Sequence, residues 1–309
     1  MNKELLFFYP EYKETLWGGN KMKTIYGYDI PSETTGECWA ISAHEKGDCV
    51  CATGEFAGRK LSVLWKNHRE LFGNLHYDKF PLLLKVIDAK ENLSIQVHPS
   101  DEFAQANEEG SYGKTECWYV LDCDEGSKLI VGHNARTREE LCKAIDDGKI
   151  EEIVREIDVK PGDCVHIDPG TIHSIKGGVM LLEIQQNSDL TYRVYDYNRL
   201  YNGKARELHI EKAKEAIEVP DSDDTSKVTS EDAGVERLIS CKYFDVNKIN
   251  VYGGFSLNDH APFVLVSCVN GEGYADGVKI KAGDHFLVPF EYGKVCFSGH
   301  MTLITSIPK

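Results

Sequence analysis

No run of about 18 consecutive apolar residues occurs in the 309-residue chain, so it carries no candidate membrane-spanning helix. The N-terminal MNKELLFFYPEYKE mixes Lys and Glu around a short apolar patch and lacks the layout of a secretory signal. The 10 cysteines form no C-x-x-C pair; Cys49 and Cys51 make only a C-x-C. They read as reduced thiols rather than a disulfide framework, which points to the cytoplasm. Positive charge is short, with 35 Lys+Arg against 50 Asp+Glu and a net charge of -15. Such a surface repels a polyphosphate backbone or an anionic membrane, so neither is expected as a partner. Nucleotide loops are missing too: Gly271-Glu272-Gly273 with Gly277 beyond it lacks the dinucleotide spacing, and there is no Walker loop. His44-Glu45 has no second histidine to complete a zincin helix.

What the chain does have is strand signal, punctuated by turns. In LSIQVHPSDEFA, Ser94, Gln96 and His98 alternate with Leu93, Ile95 and Val97, so a strand would place the three polar side chains on one face. Pro99 stops that strand. In KTECWYVLD the same alternation puts Lys114, Glu116 and Trp118 together, an ammonium and a carboxylate aimed into one cavity. Further on, Lys160-Pro161-Gly162-Asp163 turns the chain, CVHI extends, and Asp168-Pro169-Gly170 turns it again before His173. Two imidazoles and a carboxylate on strand rims are the ligand set of an open zinc site. His133 and His166 read instead as histidines that need only a hydrogen-bond partner. Lys85 sits in the apolar PLLLKVIDA, where an ammonium is costly unless it meets a partner or a cavity. A buried salt bridge and a substrate contact are equally good explanations for it.

Helical periodicity is confined to LSVLWKNHRELFG, SDEFAQANE, TREELCKAIDDG and ELHIEKAKEAIE. The length suits about two domains. The expected division is a catalytic unit over 1–217, a polar linker or loop over 218–236 beginning near Pro220-Asp221-Ser222, and a smaller β unit over 237–309. The last unit echoes the first. Lys281-Ala282-Gly283-Asp284 followed by Pro289 parallels Lys160-Pro161-Gly162-Asp163 followed by Pro169, yet Lys294 stands where the echo would need a ligand like His173. That unit is therefore expected to hold no metal.

The spacing from Gly162 through Pro169 to His173 resembles the second motif of the cupins, small metal-binding barrels of the jelly-roll kind. Taken in order, FPLLLKVIDA, LSIQVHPSDEFA, GKTECWYVLD, PGTIHSI and LLEIQQNSDLTYRVYD resemble the type I mannose-6-phosphate isomerases of the short bacterial form. The resemblance runs from about Glu37 to Arg199, with GECWAISAH near its start. It implies a mainly β fold: a double-stranded β-helix (cupin or jelly-roll) barrel with a few helices and a second, smaller jelly-roll-like unit. It implies one Zn2+ per chain on Gln96, His98, Glu116 and His173, with a phosphosugar as the small-molecule substrate. It also places catalytic roles on Arg193, Glu183 and Lys114, and substrate contacts on Lys85 and Ser94. Glu183 is the first choice for the base, with Lys114 or a metal-bound water behind it. The chain is expected to act as a monomer or weak dimer. Two rival functions remain open: a cupin oxygenase or decarboxylase, and a non-catalytic sugar-phosphate-binding cupin.

Overall fold

The computed structural model describes residues 4–109, 111–201, 203–222, 227–229, 234–258 and 260–309. Strands dominate and assemble into three large sheets. A seven-stranded sheet runs Lys227–Thr229, Asp163–Ile167, Glu116–Cys123, Val179–Gln186, Leu82–Ala89, Glu11–Gly19, Thr35–Ile41. A five-stranded sheet runs Val154–Asp158, Lys128–His133, His173–Ile175, Ile95–Val97, Tyr192–Tyr195. These two sheets share a core in which Ile87, Trp118, Val120 and Leu181 of the first pack with Leu129, Val131 and Ile175 of the second. They form the expected cupin-type pair, although the hydrogen-bonded strand orders stay open and do not close into one barrel.

The central strands of the larger sheet are covered on both faces, which is why Leu82–Ala89 and Val179–Gln186 are buried at every position. In Leu82–Ala89, Leu82, Leu84 and Val86 face a second core cluster, whereas Ile87 and Ala89 face the inter-sheet space. Lys85 shares the latter face by strand alternation. Its charge is thereby committed to the interior between the sheets.

The third sheet holds the C-terminal strands Val235–Ser240, Phe244–Asn258, Lys294–Pro308, Val264–Ala275, Val278–Lys281 and His285–Val288. Two N-terminal strands complete it: Leu6–Tyr9 pairs with His285–Val288 through Leu6↔Leu287 and Phe7↔Phe286, and Val50–Cys51 pairs with Leu6–Tyr9. The polar stretch 218–236 lies partly outside the described residues. The internal echo is geometric as well as textual. Gly162 and Gly283 have φ of 92° and 94°. Asp163 accepts the Lys160 amide at 2.9 Å, and Asp284 accepts the Lys281 amide at 2.8 Å. The glycine amides donate across to Val120 and Cys268 carbonyls, at 2.9 and 2.8 Å.

All four helical segments read from the sequence form helices: Leu61–Asn67, Asp101–Asn107, Arg138–Asp146 and Ile210–Ala216. Ser100 and Thr137 cap two of them by accepting the Phe103 and Glu140 amides. The short helix Lys21–Tyr26, ended by Gly27 in the left-handed conformation, was not among the expectations. Among the described residues no helix is long and apolar enough to cross a membrane.

Candidate metal centre and active site

Strand register brings the polar side chains into two facing rows. On the larger sheet Trp39 pairs with Lys85, Lys85 with Glu183, and Glu183 with Trp118. Directly opposed residues in antiparallel strands project to the same side, so these four side chains form one row. Glu116, two residues before Trp118, extends it. On the smaller sheet His173 pairs with Gln96 and Gln96 with Arg193. The rows meet where the Trp118 and His173 rings lie 5.4 Å apart, edge to face.

His98 follows the strand Ile95–Val97 and is pinned by its backbone, whose carbonyl accepts the Gly170 amide at 2.9 Å. The Lys114 amide donates to the Pro99 carbonyl at 3.1 Å, so the segment carrying Lys114 runs tightly against the start of the helix. Gly113 makes that approach possible: a Cβ there would stand 2.4 Å from the Asp101 nitrogen. Lys114 lies just before its strand, which begins at Glu116, yet it stays beside Glu116 as the alternation predicts.

His98, Glu116 and His173 are buried, and their ligand atoms lie within 4.8 Å of one another. His98 Nδ1 donates to the Leu190 carbonyl at 2.7 Å, and His173 Nδ1 to the Thr171 carbonyl at 2.9 Å. These bonds leave both Nε2 atoms as lone-pair acceptors, the tautomer that metal-ligating histidines adopt. The two Nε2 atoms are 3.2 Å apart, and they lie 3.4 and 3.5 Å from the Glu116 oxygens. Lone pairs and a carboxylate so close together repel one another unless a cation lies among them. Lys114 Nζ partly meets that need, 2.6 Å from Glu116 Oε2 and 3.1 Å from His98 Nε2. Glu116 Oε1 remains buried without a hydrogen-bond donor. The donor set fits a divalent ion with nitrogen and oxygen ligands. Burial, reinforced by the Lys114 charge, lowers the His98 pKa to about 4, and burial lowers that of His173. Both rings are neutral at pH 7, as ligation requires.

Gln96 is adjacent to this group but directs its amide nitrogen, not its oxygen, toward His173, at 3.4 Å. Its oxygen accepts the Ser94 hydroxyl at 3.1 Å. Ser94 in turn accepts from Arg193 Nε at 3.3 Å, while another guanidinium nitrogen donates to the Glu207 carbonyl at 2.9 Å. Arg193, Ser94 and Gln96 thus form one chain leading to the imidazole pair.

Lys85 is buried with its ammonium 3.2 Å from Glu183 Oε2 and 3.7 Å from Glu37 Oε2, and 5.1 Å above the Trp39 ring. Burial alone would lower the Lys85 pKa, but Glu183 and Glu37 outweigh it and hold the amine charged. The other Glu183 oxygen accepts the Trp118 indole at 3.3 Å and lies 3.9 Å from Lys114. Of the two explanations left open for Lys85, the salt bridge is present.

Sequence reasoning assigned no role to Asp189, Glu37 or Trp39. Asp189 receives Lys46 at 2.8 Å; burial raises its carboxyl, but Lys85, Lys46 and Lys114 together bring it below its ordinary value. Glu37 and Trp39 lie in GECWAISAH and Asp189 in LLEIQQNSDLTYRVYD, but only the folded pairing shows what they face. His133 has the partners expected of a structural histidine, the Glu218 carbonyl and the Ala135 amide. His166 has Asp168 3.6 Å from Nδ1, while its buried Nε2 has no partner.

Residues 5–125 match the family model "Phosphomannose isomerase type I, catalytic domain", and residues 235–308 match "Mannose-6-phosphate isomerase, cupin domain". Mannose-6-phosphate isomerase ManA of Bacillus subtilis is 47% identical over 314 aligned positions, which cover 99% of each chain. The crystal structure of a mannose 6-phosphate isomerase from Bacillus subtilis superposes with a TM-score of 0.94 at 44% identity, covering 98% of this chain and 99% of that one. A zinc-bound mannose 6-phosphate isomerase, 16% identical and covered to 99% in both chains, has the same fold at a TM-score of 0.80. The chain belongs to the type I phosphomannose isomerase family.

Proposed function

We propose that the chain interconverts mannose 6-phosphate and fructose 6-phosphate, moving a proton between C1 and C2 through an enediol. The observation that carries this reading is the convergence of His98, Glu116 and His173 with Lys114, Glu183 and Arg193 between two facing sheets. The full-length likeness to a mannose-6-phosphate isomerase supports it.

His98, Glu116 and His173 would hold one Zn2+, joined by Gln96 if its amide oxygen leaves Ser94. When bound, the ion supplies Lewis acidity that polarises or orients the substrate's carbonyl and hydroxyl oxygens. Glu183 is the proposed base: its carboxylate lies on the inter-sheet row, with Lys85 and Trp118 fixing its orientation. Lys85 is then a positioning residue. Lys114, between Glu116 and Glu183, is the proposed alternative for holding or relaying a proton. Arg193 presents a guanidinium fork suited to enediolate or phosphate oxygens, and Ser94 aims it. These side chains all come from one chain, so the site does not need a partner, in keeping with a monomer or weak dimer. The catalytic unit is assigned to 1–217, with 237–309 a packing unit that carries no metal. The ten free cysteines suit a reducing compartment, so the proposed location is the cytoplasm.

The test is a coupled assay for fructose 6-phosphate with zinc-loaded protein and mannose 6-phosphate as substrate, run in both directions. Conversion in wild type and its loss in His173→Ala are expected. No conversion by the zinc-loaded wild type would leave the binding-protein reading in its place.

A further inference from the structure

Apart from the catalytic centre, a cavity of about 280 Å³ lies at the seam between the seven-stranded sheet and the C-terminal sheet. Its walls are Tyr12, Tyr26 and Tyr28 on one side and Phe8, the Lys281–Asp284 turn and His285 on the other; Cys38 and Ala40 also line it. Nothing in the isomerase reading uses it.

The cavity is a built feature. Tyr28 OH donates to the Gly283 carbonyl at 2.6 Å and lies 2.9 Å from His285 Nε2. His285 Nδ1 meets the Ser267 hydroxyl at 2.7 Å, and burial lowers the ring's pKa to about 4, so it stays neutral. Tyr26 OH donates to the Val269 carbonyl at 3.1 Å. Gly283 admits the two rings: a Cβ there would stand 2.8 Å from Tyr28 and 2.9 Å from Tyr26, whereas at Gly162, its counterpart in the catalytic unit, the nearest atom would be 3.9 Å away. Tyr26 and Tyr12 lie 5.6 and 6.3 Å from Tyr28, centroid to centroid, and form a fixed aromatic wall.

The rim still has hydrogen-bonding capacity to spend. Among the described residues, the side chains of Asp29 and Lys281 are exposed and engage no hydrogen-bond or ion-pair partner. Asp284 and the Tyr12 hydroxyl add an acceptor and a donor beside them. Two carboxylates against one ammonium, on a chain of net charge -15, disfavour a phosphorylated ligand. Aromatic faces with carboxylate and ammonium groups around them suit an uncharged ring that has a C–H face for stacking and hydroxyls to donate and accept. The volume lies just below the range of about 300–1,000 Å³ typical of drug-sized ligands, which suits a monosaccharide.

We propose that this seam cavity is a second binding site, for an unphosphorylated hexose. Its position links it to the catalytic centre. The strand Thr35–Ile41 presents Cys38 and Ala40 to the cavity and, on its opposite face, Trp39 to Lys85. A ligand that tightens the seam acts on the strand that supports the Lys85–Glu183 pair.

Isothermal titration of the zinc-loaded protein with D-mannose tests the proposal, independently of whether the chain isomerises. Binding is expected in wild type, retained in His173→Ala, and weakened at least tenfold in Asp29→Asn and in Tyr12→Ala, each checked for unchanged thermal unfolding. Asp29 is exposed, so its variant keeps the test valid if Tyr12→Ala does not fold. Absence of binding in wild type would overturn the proposal. So would binding that disappears in His173→Ala and survives in Asp29→Asn, because the sugar would then occupy the catalytic centre.

Discussion

Replacing Lys85 with methionine separates a positioning role from a substrate contact. Lys85 and Glu183 are both about 6% exposed in their side chains, and their charges meet at 3.2 Å, with Glu37 at 3.7 Å. Methionine nearly preserves the volume but leaves two carboxylates facing a low-dielectric interior without their common partner. Removing one member of a buried pair costs about 3–5 kcal/mol, most of it the uncompensated charge that remains. At about 2–4 °C per kcal/mol, Lys85→Met should lower the melting temperature by roughly 6–20 °C. Lys85→Met combined with Glu183→Gln removes the more buried of the two stranded charges and should recover part of that loss, so the double variant melts above the single one. Thermal unfolding of the zinc-loaded variants, read as a double-mutant cycle, gives the coupling directly. If Lys85→Met melts within about 1 kcal/mol of wild type while losing activity, the pair is not the reason the lysine is buried. Lys85 would then act on the substrate.

Arg193→Ala should lower kcat by about 100-fold to 1000-fold, as expected for a lost preorganised charge donor, and Arg193→Lys should rescue poorly because an ammonium lacks the fork. A rise in KM with kcat intact would instead mark it as a phosphate grip. Asp196 receives Arg199 at 2.6 Å and Arg206 at 2.6 and 2.8 Å; burial raises its carboxyl, but the two arginines prevail and bring it below its ordinary 3.8. Its stabilisation is therefore complete above about pH 4 and is lost as the pH falls through the lower native value. Asp196→Asn should flatten the acid side of the stability curve, as checked by urea midpoints at about pH 5 and pH 3. Gly113→Ala forces a Cβ to 2.4 Å from the Asp101 nitrogen, and such overpacking costs about 1–3 kcal/mol. It should reduce activity as well by shifting Lys114 and Glu116; an alanine variant with wild-type stability and rate would contradict the packing described.

Local pattern made much of this molecule legible. Alternation placed Lys114 beside Glu116 and marked Lys85 as a charge that needed a partner. The turns at Gly162 and Gly283, matched in sequence, match in geometry too, and periodicity located Asp101–Asn107 and Arg138–Asp146. Pairing between distant strands was not legible. Nothing local to Lys85 says that register sets it opposite Glu183 on one side and Trp39 on the other. Nor does alternation reveal that Asp189 meets Lys46, or that Leu6–Tyr9 joins a sheet built from the far end of the chain. The orientation of the Gln96 amide depends on Ser94 and Arg193 together, and Arg193 reaches Ser94 only through tertiary packing. The helix Lys21–Tyr26 is only 6 residues long, too short for a periodic pattern to show, and has no acidic residue in its first turn.

The most direct test of the metal centre is a zinc titration of chelator-treated protein, with isomerase activity and bound metal followed together. Activity should rise linearly and reach a sharp end point at about one zinc per chain, as expected for a single open site with two imidazoles and a carboxylate. Glu116→Gln should abolish both tight binding and activity. Full activity in metal-free wild type, or undiminished zinc binding in Glu116→Gln, would contradict it.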